Sequence, residues 1–186
     1  MSDSEFLLLG DALWLELVNT LAGPNRADAL PDAPAWLRFT KALRLEPPEN
    51  AAVLQEALGF RERLARLAQA LEGHRNPPGA AVDAINERLS ALQGREHLVR
   101  VGGAWQIRFA PGRPPAALEA IARSAAETLA NPVAMIRTCA NPACALFLLD
   151  DTHNQSRRWC SPARCGKLGR TERRRRSRLT PIVNEA

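Results

Sequence analysis

Tyrosine is absent from this chain of 186 residues, histidine occurs three times, and aromatic residues amount to 5%. A surface that binds single strands by stacking successive bases on aromatic rings is therefore a poor expectation. No Gly-rich phosphate loop, Ser/His/Asp set or His-x-x-x-His pair occurs, which leaves the familiar phosphotransfer, hydrolase and metallopeptidase signatures without a carrier. No apolar run approaches the roughly 20 residues that span a bilayer. Asp3 and Glu5 precede the short apolar run Phe6–Leu9, where a signal peptide would place basic residues and a longer apolar stretch, so a cytoplasmic location is expected. Cysteine is missing from the first 138 residues. What remains is an ordinary globular mixture, 46% apolar and 24% charged, long enough for one moderate core and a small accessory module.

The net charge of +5 is unevenly placed. Residues 157–178 hold ten basic side chains and one acid, Glu172, for +9, whereas residues 1–156 sum to −3. A polyanion-binding element attached to a mildly acidic body follows from that asymmetry. All four cysteines flank or lie within the same segment: Cys139, Cys144, Cys160 and Cys165 form C-x4-C-x15-C-x4-C. Two close pairs across a gap is zinc-finger spacing, and a reducing cytoplasm disfavours the disulfide alternative. One structural Zn²⁺ bound by four thiolates is expected.

The body reads as helix-rich. Leu13, Leu17 and Leu21 recur at spacing four in Asp11–Leu21, with Trp14 and Val18 alongside. Further helices are predicted over Trp36–Leu45, from an N-cap at Asn50 to Leu71, over Ala81–Leu92 and over Leu118–Leu129. Between His97 and Phe109 the period drops to two around Gly102-Gly103, a hairpin with a primed turn. Trp14, Trp36 and Trp105 are assigned to core packing. The fold class is α+β: a helix-rich N-terminal domain with a β-hairpin or small sheet over 1–136, then a zinc module over 137–186.

In that module, Asn141-Pro142 lets the chain turn between the first two thiols. Leu146–Leu149 reads as a strand, 152–156 as its turn and Arg157–Trp159 as the return strand. Ser161-Pro162 then starts a helix, as an N-cap hydroxyl followed by proline at N1. That helix, to about Arg178, carries Cys165 in its first turn. A knuckle, a hairpin and a ligand-bearing helix describe a treble clef. Lys167, Arg170, Arg174 and Arg178 fall on one stripe at helical spacing, with Arg164 beside it and Arg173 widening it. Such a helix fits a major groove, and with Arg157 and Arg158 it makes double-stranded DNA the expected partner. Asp150-Asp151 are expected to meet Arg157 or Arg158. His153-Asn154 faintly suggests a hairpin-histidine nuclease, but its further ligands are missing and four cysteines close the metal shell, so no enzyme is expected.

The segment Arg157-Arg158-Trp159-Cys160-Ser161 with Cys165-Gly166 resembles the CGNR-type zinc finger. Leu13-Trp14-Leu15-Glu16-Leu17-Val18-Asn19-Thr20 resembles the opening motif of the ABATE domain that precedes such fingers in stress-induced transcription regulators. The resemblance implies a DNA-binding treble clef joined to an α+β domain that takes an unidentified small molecule, for which Asn19, Thr20 and Arg26 are the first candidates. This chain has Cys165-Gly166-Lys167-Leu168 where that family has Cys-Gly-Asn-Arg, which favours phosphate gripping over base-specific contact at those positions. The alternative function is a non-enzymatic adaptor whose finger binds RNA or an acidic protein.

Overall fold

The computed structural model describes residues 6–22, 27–47 and 52–167. Helices α1 (Leu13–Asn19), α2 (Ala33–Ala42), α3 (Val53–Glu72) and α4 (Gly79–Ser90) are followed by strands β1 (Gly94–Val101) and β2 (Ala104–Pro111). Helix α5 (Ala117–Ala130), strands β3 (Met135–Thr138) and β4 (Phe147–Asp150), and a helical turn Pro162–Gly166 complete the order. The α+β class is thus present as a helical body with two small antiparallel sheets, β1–β2 and β3–β4. Each predicted body helix appears within a few residues of its expected range. The expected cap at Asn50 lies outside the described residues.

Local chemistry accounts for the main helices. The Asp32 carboxylate accepts from the Ala35 amide at 2.8 Å and Pro34 occupies the first turn, so α2 starts there. In α3, Leu54, Ala57, Phe60, Leu64, Leu67 and Ala68 are buried at three- and four-residue intervals, a stripe that lies on α1 and α4. Buried Arg61 from the same stripe binds Asp28 through both nitrogens at 2.7 and 2.6 Å and donates to the Thr20 hydroxyl at 2.9 Å. This bidentate pair fixes the connection that follows α1 to α3 and holds the Asp28 carboxyl below its ordinary value.

Helix α1 departs from the amphipathic expectation. Trp14 through Asn19 are all buried, including Glu16, whereas Leu21 is 41% exposed. The helix is enclosed because the body packs on one side and the cysteine-bearing segment on the other: α1 contacts α3, α5 and β4. Trp14 fills the core and donates its indole N–H to Thr128 at 3.0 Å, and Trp36 stacks on Phe39.

The β1–β2 hairpin turns at Gly102 and Gly103, with φ of +57° and +88°, as the primed turn requires. Trp105 corrects an expectation. It lies on this hairpin and is 65% exposed, because the hairpin projects from the body instead of covering it.

The second sheet also differs from expectation. The partner of β4 is not the segment 157–159 but β3, in the register Met135↔Asp150 to Thr138↔Phe147. The outer edge of β4, where a return strand would have paired, is already filled from the body. Leu149 donates to the Gly10 carbonyl at 2.9 Å, and Phe147 is held by the Asn19 side chain. Residues 157–159 therefore run as irregular chain, touching the knuckle through the Ala140 amide and the Arg158 carbonyl at 2.8 Å. The strand that spans the expected boundary at 136/137 serves both sides: Ile136 belongs to the body core, and its backbone pairs with Leu149.

Candidate metal centre and basic segment

The four cysteines converge. Their sulfurs all lie within 4.8 Å of one another, with Cys144–Cys160 at 3.8 Å and Cys160–Cys165 at 3.6 Å. A disulfide needs about 2.05 Å. Four sulfurs at about 2.3 Å from one tetrahedral zinc would stand roughly 3.8 Å apart, so the cluster fits one Zn²⁺ in a closed four-thiolate shell.

Each pair is placed by its own local device. After β3, the Cys139 amide donates to the Leu146 carbonyl and the Cys144 amide to the Asn141 carbonyl, closing the knuckle. The second pair brackets the start of the helical turn. The Ser161 hydroxyl caps it by accepting from the Arg164 amide at 3.3 Å, and Pro162 occupies its first position. The Cys165 amide bonds to the Ser161 carbonyl at 3.0 Å, which brings the fourth sulfur back beside Cys160. One pair from a knuckle and one from a helix start is the ligand order of a treble clef.

Donors outside the cluster point at the sulfurs. The Asn141 side-chain amide lies 3.4 Å from the Cys165 sulfur, and the Cys160 amide 3.5 Å from that of Cys139. Burial opposes ionisation of Cys139, yet the amides of Cys160 and Asn141 outweigh it and lower its pKa. Cys144 is pushed up to about 11 by burial, and Cys160 is raised by the same cause. Burial and mutual repulsion hold those two as thiols until a cation compensates the charge. Leu7, Leu9 and Trp159 pack around the cluster.

Asp150 organises the loop leading to Cys160. It is fully buried and accepts from the Thr152 amide and hydroxyl, the Arg157 amide at 2.9 Å and the Arg137 guanidinium at 3.0 Å. Burial alone would raise its pKa; these donors overcome that and lower it. Of the expected contacts with Arg157 or Arg158, Asp150 makes only one, to the Arg157 backbone amide; its ion pair is with Arg137, and the Arg157 side chain goes to Asp11 instead.

The expected DNA contacts divide into groups. Arg157 turns inward. Its guanidinium bonds the Asp11 carboxylate and the carbonyls of Leu149 at 3.0 Å and Cys160 at 3.1 Å, with Leu9 and Trp159 at 3.4 Å. It is a bracket between the N-terminal segment, β4 and the metal centre. Arg158 is exposed, its guanidinium 5.7 Å from the Trp159 ring, and borders a shallow groove of about 450 Å³ with Ser156, Trp159 and Pro162. Arg164 and Lys167 are exposed on the helical turn. Arg170, Arg173, Arg174 and Arg178, and the helix expected to carry them, lie outside the described residues.

Of the expected ligand contacts, Arg26 also lies outside the described residues. Asn19 and Thr20 are buried and engaged. The Asn19 amide both accepts from the Phe147 N–H at 2.8 Å and donates to its carbonyl at 2.9 Å, while Thr20 receives Arg61 and donates to the Leu17 carbonyl. Sequence reasoning missed two members of this junction. Glu16 accepts from the amides of Leu9, Gly10 and Asp11 at 3.1, 2.9 and 3.2 Å; burial outweighs those donors and pushes its pKa up to about 7. Gly10 lies so close to α1 that a Cβ would stand 2.9 Å from that of Leu15 and 3.0 Å from the Asn19 side chain. A buried acid inside an otherwise apolar helix was the available signal for the first.

A search of curated proteins found no match to this chain. Two family models do match: the CGNR zinc finger over residues 135–178, and over residues 11–132 the ABATE family, described as "putative stress-induced transcription regulator". The first spans the metal centre and the whole basic segment, and the second spans the helical body. With its four clustered thiols next to a buried Leu-Trp-Leu-Glu-Leu-Val-Asn helix, the chain belongs to the ABATE family of transcription regulators and carries a CGNR zinc finger.

Proposed function

We propose that this chain regulates transcription by holding duplex DNA through its zinc finger, under the control of the helical body. The observation that carries the reading is where the metal centre lies relative to charge. Cys160 and Cys165 sit inside the +9 segment of residues 157–178, so one zinc ion fixes the start of that segment against a body of net −3. Arg158, Arg164, Lys167, Arg170, Arg173, Arg174 and Arg178 grip phosphates, and Arg157 serves them by holding the loop in place. The centre is structural: four thiolates leave no open position for a substrate or activated water, which argues against catalysis at the metal. Asn19 acts in control as a relay between body and finger through Phe147, and Thr20 supports it from within the body by holding Arg61. A cleft of about 620 Å³ beside Glu56, Arg88, Arg113 and Glu119 has the volume expected of a small-molecule site.

Fluorescence anisotropy with a labelled duplex, repeated across a salt series, tests the DNA reading. About six phosphate contacts should give a log–log slope near −5. Replacing Arg170 and Arg174 with alanine should weaken binding while zinc content stays at one per chain. Failure of the zinc-loaded protein to bind duplex, or equal binding by the double variant, would overturn the assignment.

A further inference from the structure

The β1–β2 hairpin contributes no side chain to either apolar cluster among the described residues. Its register sets Glu96 opposite Phe109, Leu98 opposite Ile107 and Arg100 opposite Trp105, and directly opposed residues share a face. From base to tip, one face therefore carries an acid with an aromatic ring, an aliphatic pair, and a guanidinium with an indole. Leu98, Trp105 and Ile107 are 60%, 65% and 69% exposed, while Phe109 leans over Gly94 at the base and is half-buried. The reverse face carries Arg95, His97, Gln106 and Arg108 together with Val99 and Val101. A two-stranded hairpin is marginal in water unless something covers a face, and clustered apolar exposure of this kind marks a protein contact.

The arrangement of charge selects the partner. Glu96 and Arg100 both lie on β1, one row below and one row above the Leu98–Ile107 pair. Consider two copies stacked on this face about a twofold axis that runs across the strands. Base and tip exchange while β1 stays over β1, so Glu96 of each copy meets Arg100 of the other. Leu98 meets Leu98, Ile107 meets Ile107, and Phe109 meets Trp105 twice. With the axis along the strands, Glu96 would instead face Phe109 and neither charge would be matched. Arg100 is available for such a pair: its described contact is one exposed 3.4 Å hydrogen bond to the Gly103 carbonyl. An apolar ligand would call for neither charge. A twofold interface requires a self-complementary surface, and this face has one.

We propose that the chain forms a homodimer by stacking this hairpin face, base to tip, on that of a second copy. The two metal centres then lie in one particle. The inference does not depend on DNA binding.

Sedimentation equilibrium on the full zinc-loaded chain, without DNA, tests it. The wild-type chain should show a concentration-dependent dimer. Glu96→Arg and Arg100→Glu should each weaken dimerisation by about tenfold or more, through like charges set face to face, and the double variant should recover to near the wild-type constant. Ile107→Glu should abolish the dimer with far-UV circular dichroism and zinc content unchanged. A chain that stays monomeric across the series would overturn the proposal. So would a dimer that tolerates Ile107→Glu, or a double variant as weak as its singles.

Discussion

The Asn19 side chain forms a two-point hydrogen-bonded pair with the backbone of Phe147, accepting from its N–H at 2.8 Å and donating to its carbonyl at 2.9 Å. A carboxamide has the same donor and acceptor as a peptide group, so this residue of α1 stands where a neighbouring strand would. Two residues further along the same edge, Leu149 is completed by the Gly10 carbonyl and by Arg157. The edge of β4 is thereby closed, and the body and the finger are joined by groups neither can satisfy alone.

Asn19→Ala should therefore lower stability by about 2–4 kcal/mol, since both backbone groups of Phe147 lose their partner in a mostly dry site. Asn19→Asp should be pH-dependent. Its carboxylate would face the Phe147 carbonyl, and protonation in mild acid should restore part of the loss. Urea denaturation of both variants at pH 4.5 and 7.5 provides the check.

Glu16 has a folded pKa of about 7 against an ordinary 4.5. The native state binds its proton more tightly than the unfolded chain does, so this contribution to stability is complete below pH 4.5. It declines as pH rises through 7, by roughly 3 kcal/mol in all. Zinc-bound thiolates impose the opposite slope, because the unfolded thiols hold protons that the bound ones have lost. The difference in unfolding free energy between wild type and Glu16→Gln, followed from pH 4.5 to 8.5, cancels the thiol part and should isolate the decline.

Zinc binding should release at least two protons per ion near neutral pH, since burial holds Cys144 and Cys160 in the thiol form until metal arrives. Affinity should consequently fall steeply as pH is lowered. A pH-indicator titration of the reduced apo chain in weak buffer measures the release directly. Because β4 is clamped by Asn19 and Gly10, chelation should also lower the thermal midpoint of the helical body, which calorimetry would report.

Arginines 157 and 158, adjacent in sequence, should behave differently. Arg158→Ala should leave stability nearly unchanged and reduce the salt slope of duplex binding by about 1. Arg157→Ala should cost about 2–3 kcal/mol of stability, because it strips the charged donor from the carbonyls of Leu149 and Cys160. Paired denaturation and anisotropy measurements on the two variants distinguish a phosphate contact from a bracket.

Much of this was legible beforehand where the determinant is local. Helical periodicity located the body helices, Gly102-Gly103 located the hairpin turn, and the cysteine spacing located the metal ligands, since each depends on neighbours close in the chain. The pairing of β4 was not legible. Leu146–Leu149 announces a strand, but its partner is chosen by competition between segments distant in sequence, and nothing local says that Asn19, more than 120 residues earlier, occupies the edge that 157–159 would have taken.

By itself, the sequence determined the helices, the turn, the four thiol ligands and the concentration of positive charge around them. Tertiary structure alone decided that α1 is buried on both sides, that Asn19 and Arg157 bind protein groups, and that Trp105 faces solvent. The physical reason is that burial and partner choice depend on which surfaces meet in three dimensions. Helical period and ligand spacing are set within a few residues of chain.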